Sequence, residues 1–264
     1  MIRLDWLSMR WGTAALNVLI VLLFTSCGTN ETAASTTSQT PSTTEVPTTT
    51  VKPCVAPNLD GCNLYGRDLS GAYLESASLK GADLRGANLQ EAHAYMAIFE
   101  DALLEDANLR GANLAQADCT NTNFLGANLS GVNFAGGWFA SALFAHANLV
   151  GAFGFANFEG AGFEYANLNE FKGGGNFTYA KMHGVYGMNG DFAGSTFDGA
   201  NLADAVLTNA DFKSTTFIRA NLSNADFSGA DLTGADLTGA NVTGAKFIDA
   251  KLDSAKMPSG WKAP

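Results

Sequence analysis

Ala82-Asp83-Leu84-Arg85-Gly86-Ala87-Asn88-Leu89-Gln90 repeats a small residue, an Asp or Asn and a large apolar residue after five positions. Ala230-Asp231-Leu232-Thr233-Gly234 returns to the same frame far along the chain. Followed outward in both directions, the frame gives 41 central positions from Leu59 to Met257, of which 34 are Leu or Phe; 15 of the 18 phenylalanines fall on one. A period of five fits neither the helical 3.6 nor the strand alternation of 2, so no ordinary helix or strand could keep one face to a core for 200 residues. Such a chain has to coil on itself, each repeat burying its apolar residues against its neighbours.

The frame, Ala-(Asp/Asn)-Leu-X-X, resembles that of the pentapeptide-repeat family and is followed almost without gap over residues 59–257. The resemblance implies an all-β fold, a right-handed parallel β-helix of about ten four-sided coils. Residue chemistry agrees with it. Leu or Phe and Ala alternate as inward groups, while Asp or Asn and Gly suit turns that need side-chain-to-backbone hydrogen bonds and positive φ. At the strand spacing of about 4.8 Å, ten coils make a rod roughly 50 Å long.

Two slips interrupt the frame. Central positions step by five from Leu59 to Leu149, by four to Phe153, by five to Leu168 and by four again, which puts Lys172 and Gly187 at nominal core positions. If each slip is a shortened repeat, one face carries Phe99, Phe139, Phe158, Phe177, Phe197 and Phe217 as a stack. The opposite face carries Leu69, Leu89, Leu109, Leu129, Leu149 and Leu168. Residues 169–191 are expected to form a bulge or protruding loop. Trp138, Phe155, Tyr165, Phe171, Tyr179 and Tyr186, all off the apolar frame, form either a partner-binding patch or a cover over a kink in the rod.

The segment ahead of the repeats reads as an address. Arg3 and Arg10 precede a mostly apolar run from Ala14 to Phe24, too short to span a bilayer of about 30 Å, so residues 1–26 are expected to be a signal peptide. Phe24-Thr25-Ser26-Cys27 resembles the lipobox of bacterial lipoproteins, which implies lipidation at Cys27. An ordinary secretory signal and an uncleaved anchor are the alternatives. Residues 28–52 hold ten threonines and three serines with almost no large apolar side chain, the composition of a spacer, so 27–52 is expected to be a lipidated tether and 53–264 the rod with its caps. The protein is therefore expected to be exported and held at the cell membrane or outer envelope.

Cys54 and Cys62 flank the first repeat and are candidates for a disulfide stapling the N-terminal end in an oxidising compartment; the alternative is two free thiols. Cys119 takes a central position, where a buried thiol is inert. Met257-Pro258-Ser259-Gly260-Trp261 reads as a cap that lays Trp261 over the last coil. No catalytic arrangement, metal-ligand spacing or phosphate-cradling motif stands out around His93, His146 or His183, so no enzyme activity, cofactor or metal is expected. Glu100, Asp101, Glu105 and Asp106 make one dense acidic cluster, either a solvated corner or a site for calcium or a basic partner.

The net charge of -10 falls wholly on the rod, because residues 1–52 carry three acids and three bases. An acidic rod does not bind nucleic acid directly, since that binding draws on Lys and Arg against phosphate. Two functions follow. One is a non-catalytic, membrane-anchored rod that meets an unidentified protein or cell-wall partner. The other, implied by relatives that resemble B-form DNA in shape and charge, is mimicry of DNA toward a DNA-binding protein such as gyrase. The oligomeric state is left open.

Overall fold

In the computed structural model, residues 56–262 are described, and they form one right-handed parallel β-helix with four faces per coil. The faces are named here by the first central residue of each: Leu59, Leu64, Leu69 and Leu74. Apart from two shortened repeats and the ends of the rod, the repeats obey the same local rule. The residue before the centre sits mid-face and bridges its counterpart one coil on, as in Asn88↔Asn108↔Asn128↔Asn148. The centre and the residue two before it point inward and are buried. The chain then turns through two corner residues, the second of which takes positive φ: Gly86 at 63° and Gly111 at 67°, but also Glu91 at 57° and Asp101 at 58°.

The Asp or Asn preference has two causes. Its Oδ1 accepts the N–H two residues on, as Asn128 does from Ser130, which fixes the approach to the corner. On the Leu69 face its amide also bonds between coils: Asn88 donates to Asp68, Asn108 to Asn88, Asn128 to Asn108 and Asn148 to Asn128. Backbone bonds tie each coil to both neighbours, as in Leu84 N–H to Leu103 O and Asp83 N–H to Cys62 O.

The core is layered as the sequence predicts on two faces. On the Leu59 face Phe139, Phe158, Phe177, Phe197 and Phe217 stack ring on ring at centroid separations of 5.3, 4.9, 4.7 and 5.1 Å. Each such pair is worth about 0.5–1.5 kcal/mol beyond its buried area. Leucines from Leu69 to Leu168 fill the opposite face. A second stack, Phe124–Phe144–Phe163, stands on the Leu64 face.

The slips fall one repeat later than the sequence suggests, and the centre between moves by one residue. Bridge partners lie 20 residues apart up to Asn133↔Phe153, 19 apart from Trp138↔Asn157 to Lys172↔Asp191, and 20 apart again from Asn176↔Thr196. Phe153 and Lys172 therefore occupy outward mid-face positions and are exposed, and Gly154 and Gly173 take the centres on the Leu74 face. Apolar character favoured Phe153 as a centre, but the missing residue belongs to the corner that follows. In both shortened coils the second corner residue between the Leu74 and Leu59 faces is absent. The chain runs straight through as β1 (Ala156–Asn157) and β2 (Gly175–Asn176), paired in parallel.

Glycine is required at these centres because the backbone moves inward. A Cβ on Gly173, at φ +149°, would lie 2.7 Å from Gly154 O, and one on Gly154, at φ +107°, 2.8 Å from Ala135 Cα. Phe171 fills the volume the glycine leaves. It stands where the frame otherwise puts Ala, is 1% exposed, and stacks on Phe192 at 5.5 Å. No loop protrudes at 169–191; the ladder continues through Gly162↔Lys181 and Asn167↔Tyr186.

At the C-terminal end Trp261 packs edge-on against Phe247 at 6.0 Å, as the cap reading requires. Lysines stand mid-face on three sides there, each reaching an aspartate one coil back: Lys246–Asp226 at 3.2 Å, Lys251–Asp231 at 3.1 Å and Lys256–Asp236 at 2.9 Å. The signal peptide, Cys27, the tether and Cys54 lie outside the described residues. Cys62 is disulfide-bonded, and its partner likewise lies outside them.

Candidate functional site

The six aromatics singled out from the sequence do not converge on one patch. Phe171 is in the core. The other five are exposed but distributed around the rod: Trp138 mid-face on the Leu59 side, Phe155 on the corner between the Leu74 and Leu59 faces, Tyr179 on the next corner, Tyr165 on the one after, and Tyr186 mid-face on the Leu69 side. Their places follow from the frame, which assigns each a fixed side by its distance from a centre.

The structure instead gathers a strip that sequence reading missed. Along the corner between the Leu74 and Leu59 faces, backbone bonds join Ser76 N–H to Tyr95 O, Met96 to Ala115, Gln116 to Ala135 and Gly136 to Phe155. Tyr73, Tyr95, Met96, Ile98, Trp138, Phe153 and Phe155 all lie on this corner or on the mid-face positions beside it, and all are exposed. Tyr73 stacks on His93 at 4.9 Å, and Tyr95 Oη donates to Gln116 Oε1 at 3.2 Å. Trp138 and Phe155 keep 58% and 59% of their surface in solvent, and it is the grouping of such side chains along one edge that marks an interaction surface. Between His93 and Asn157 the outward positions of this strip carry a single formal charge, Asp118. The signal is legible as frame positions: each residue stands one before or one or two after a centre, and Tyr73 and Phe153, Tyr95 and Phe155, and Ile98 and Trp138 lie multiples of twenty apart.

The acidic cluster is divided by the same geometry. Glu100 and Asp101 stand on the corner before the Leu64 face, and Glu105 and Asp106 on the corner after it, with Leu103 between. Lys80 pairs with Glu100 at 2.7 Å, Asn121 donates to Asp101 at 3.2 Å, and Asn123 donates to Glu105 at 2.8 Å. These carboxylates are tied to different coils and do not face a common point. Among the described residues no group of His, Cys, Asp and Glu could hold a metal ion, and no helix is long and apolar enough to cross a membrane.

His146 stacks on Tyr165 at 5.5 Å, Tyr165 meets His183 edge-on at 5.2 Å, and His183 Nδ1 lies 3.5 Å from Asp204 Oδ2. This column covers a corner and places no nucleophile beside either imidazole. Cys119 is fully enclosed between coils, and burial pushes its thiol well up, so it holds no thiolate to react. At the C-terminal end hydrogen bonds from Thr238 and then Lys256 lower Asp236 to about 2. Asp231, held first by Thr233 and then by Lys251, is lower still.

A family model described as pentapeptide repeats matches in 8 copies, over residues 58–93, 68–106, 102–137, 191–224 and 216–253, more than half of the chain. The chain belongs to the pentapeptide-repeat family. The stretch the model leaves unmatched, 138–190, is the one that holds both shortened corners and the two central glycines. Among solved structures the chain is similar to HetL, a pentapeptide repeat protein involved in heterocyst differentiation regulation from the cyanobacterium Nostoc sp. The likeness is 26% identity over 78% of this chain and 91% of that one, with a TM-score of 0.34. It is also similar to QnrB1, a plasmid-mediated fluoroquinolone resistance protein, in a trypsin-treated form, at 20% identity over 74% and 84% of the two chains with a TM-score of 0.33. A pentapeptide repeat protein of the Arabidopsis thaliana thylakoid lumen is 21% identical over 62% and 70%, with a TM-score of 0.20. No curated protein matches the chain.

Proposed function

We propose that this pentapeptide-repeat protein is a non-catalytic rod, exported and lipid-anchored at Cys27, that presents its side to a protein or wall partner in the cell envelope. The observation that carries the reading is the order of segments: a basic and apolar leader, a small-residue approach to Cys27, a Thr/Ser-rich spacer with few charges, then a closed solenoid. Support for the non-catalytic part comes from the accounting of polar groups. The histidines stack on tyrosines, the aspartates serve turns and ion pairs, and the one described free thiol is sealed. A solenoid with separate faces offers extended surface rather than a cleft.

Cell fractionation tests it. With the lipoprotein signal peptidase blocked by globomycin, precursor is expected to accumulate, and Cys27→Ala is expected to lose the lipid-dependent membrane association. Membrane association unchanged by either treatment refutes the anchor. The second reading, a DNA mimic that binds gyrase, is favoured by the 22 acids against 12 bases from residue 53 onward. Cytoplasmic mature protein that inhibits gyrase supercoiling would select it and overturn the envelope role.

A further inference from the structure

We propose that the corner strip from Tyr73 to Phe155 is a membrane-facing edge that lays the rod along the surface of a zwitterionic lipid bilayer. This rests on the envelope reading above. Three observations carry it.

The first is composition in place. Seven exposed large apolar side chains, Tyr73, Tyr95, Met96, Ile98, Trp138, Phe153 and Phe155, stand on this corner or the mid-face positions beside it in the first, second, fourth and fifth of five successive coils, the third presenting Asn113, Gln116 and Asp118. At the spacing of about 4.8 Å per coil, the strip runs about 20 Å parallel to the rod axis. Trp, Tyr and Phe beside aliphatic groups are the side chains that settle at the level of lipid headgroups, where a ring is half apolar and half wet.

The second is charge. The rod is strongly acidic, yet from Tyr73 to Asn157 this edge carries two acids, Glu75 at its N-terminal end and Asp118, whose carboxylate already accepts the N–H and hydroxyl of Thr120. Turning this edge to a bilayer removes few charges from water and keeps the other carboxylates on the far sides. The same acidity disfavours an anionic surface, which is why the lipid is zwitterionic.

The third is where the chain arrives. The described residues begin at Ala56 and lead directly onto the Leu59 face at Asn58, so the chain enters the rod at this corner of the first coil. A lipid at Cys27 and a spacer with a full reach of about 80 Å hold the edge near the membrane at millimolar effective concentration, so weak contact suffices. Each corner of a four-sided rod is a ridge, and a ridge meets a plane along its whole length. It does not enclose a glycan or a peptide, which makes a flat partner the better fit.

The test uses the full chain with Trp138 as the only tryptophan (Trp6→Phe, Trp11→Phe, Trp261→Phe) and phosphatidylcholine vesicles with brominated acyl chains. The lipidated protein and the Cys27→Ala chain are both measured, and lipid at Cys27 is read separately by mass spectrometry. Failure of the anchor thus shows as an unmodified cysteine, whereas failure of the edge shows in fluorescence. Expected are a blue shift and severalfold quenching of Trp138 by brominated lipid, reduced at least threefold by Ile98→Ser with Phe155→Ser. A Tyr179→Trp reporter on the next corner, in a Trp138→Phe background, should stay unquenched. Equal quenching of both reporters, or none at Trp138 while the protein is on the vesicles, overturns the proposal. So does a Trp138 shift produced by insoluble cell-wall glycan and not by lipid, or one already present without vesicles and abolished by deleting residues 14–24.

Discussion

Replacing Phe171 by Ala restores the residue that the five-residue frame puts at that position, and it should nevertheless be among the most damaging substitutions in the rod. Elsewhere Ala at the second position before a centre packs beside a Leu or Phe. Here the centre is Gly173, and the ring of Phe171 supplies the volume, fully buried and stacked on Phe192 at 5.5 Å. Truncating a buried Phe costs about 3–5 kcal/mol through lost transfer energy and the cavity left behind. For a rod of this size, with about 2–4 °C per kcal/mol, the melting temperature should fall by roughly 6–20 °C. Val185→Ala, a change toward the frame at the same register on another face, should cost about 1.6 kcal/mol, two methylene equivalents. The decisive variant is Phe171→Ala with Gly173→Leu, which rebuilds a consensus repeat by sequence. It should be worse than either parent, because a Cβ at residue 173 meets Gly154 O at 2.7 Å and backbone cannot move aside as a side chain can. Guanidinium melts, with amide exchange at Gly173 and Lys172 to localise the opening, give the comparison. Stability of the double variant at or above that of the parent protein, or a loss below about 1 kcal/mol for Phe171→Ala, would refute the exchange of large and small residues described here.

Three further outcomes are expected. The C-terminal aspartates have depressed pKa values, Asp236 near 2, so their contribution is complete above the ordinary value of 3.8 and is lost as pH falls from about 4 toward 2. Amide protection of the last two coils should fall in that window ahead of the middle coils, and Lys246→Gln, Lys251→Gln and Lys256→Gln together should lower it already at neutral pH. Cys119 should not react with a thiol reagent such as Ellman's until the rod is unfolded; reaction in native buffer at the rate of a free thiol would contradict its enclosure. Glu170→Gly relieves a residue held at φ 58° on an exposed corner and should stabilise the rod by up to about 1 kcal/mol, measured as a raised denaturation midpoint.

The five-residue frame made the β-helix, its four faces and the phenylalanine stack legible because each repeat repeats one local arrangement: an inward pair, a bridge and a corner. What stayed hidden was every feature that depends on which of two adjacent residues a turn omits. Phe153 and Gly154 both could be a centre by counting, and hydrophobicity alone chose the ring; only the ladder register shows that the chain shortens at the corner and brings its backbone inward. The expected loop at 169–191 came from the same ambiguity, since Lys172 in a core would have broken the coil and Gly173 does not. The surface is hidden for a related reason. Closeness in sequence joins Tyr165 to Phe171 and Tyr179, whereas in a four-sided coil neighbours lie nineteen or twenty residues apart. Sorting outward residues by their remainder in that count separates Tyr165, Tyr179 and Tyr186 onto different sides. It brings Tyr73 into one column with His93 and Phe153, Tyr95 with Phe155, and Ile98 with Trp138, and a strip whose only formal charges are Glu75 and Asp118 then appears from sequence alone. The acidic residues fail the same sorting: Glu100 and Asp101 fall on one corner, bonded to Lys80 and Asn121 of their own columns, and Glu105 and Asp106 on another, with Glu105 bonded to Asn123 on the face beside it. In this fold a functional surface is a column, so contiguity along the chain counts against a shared site and a shared remainder counts for it.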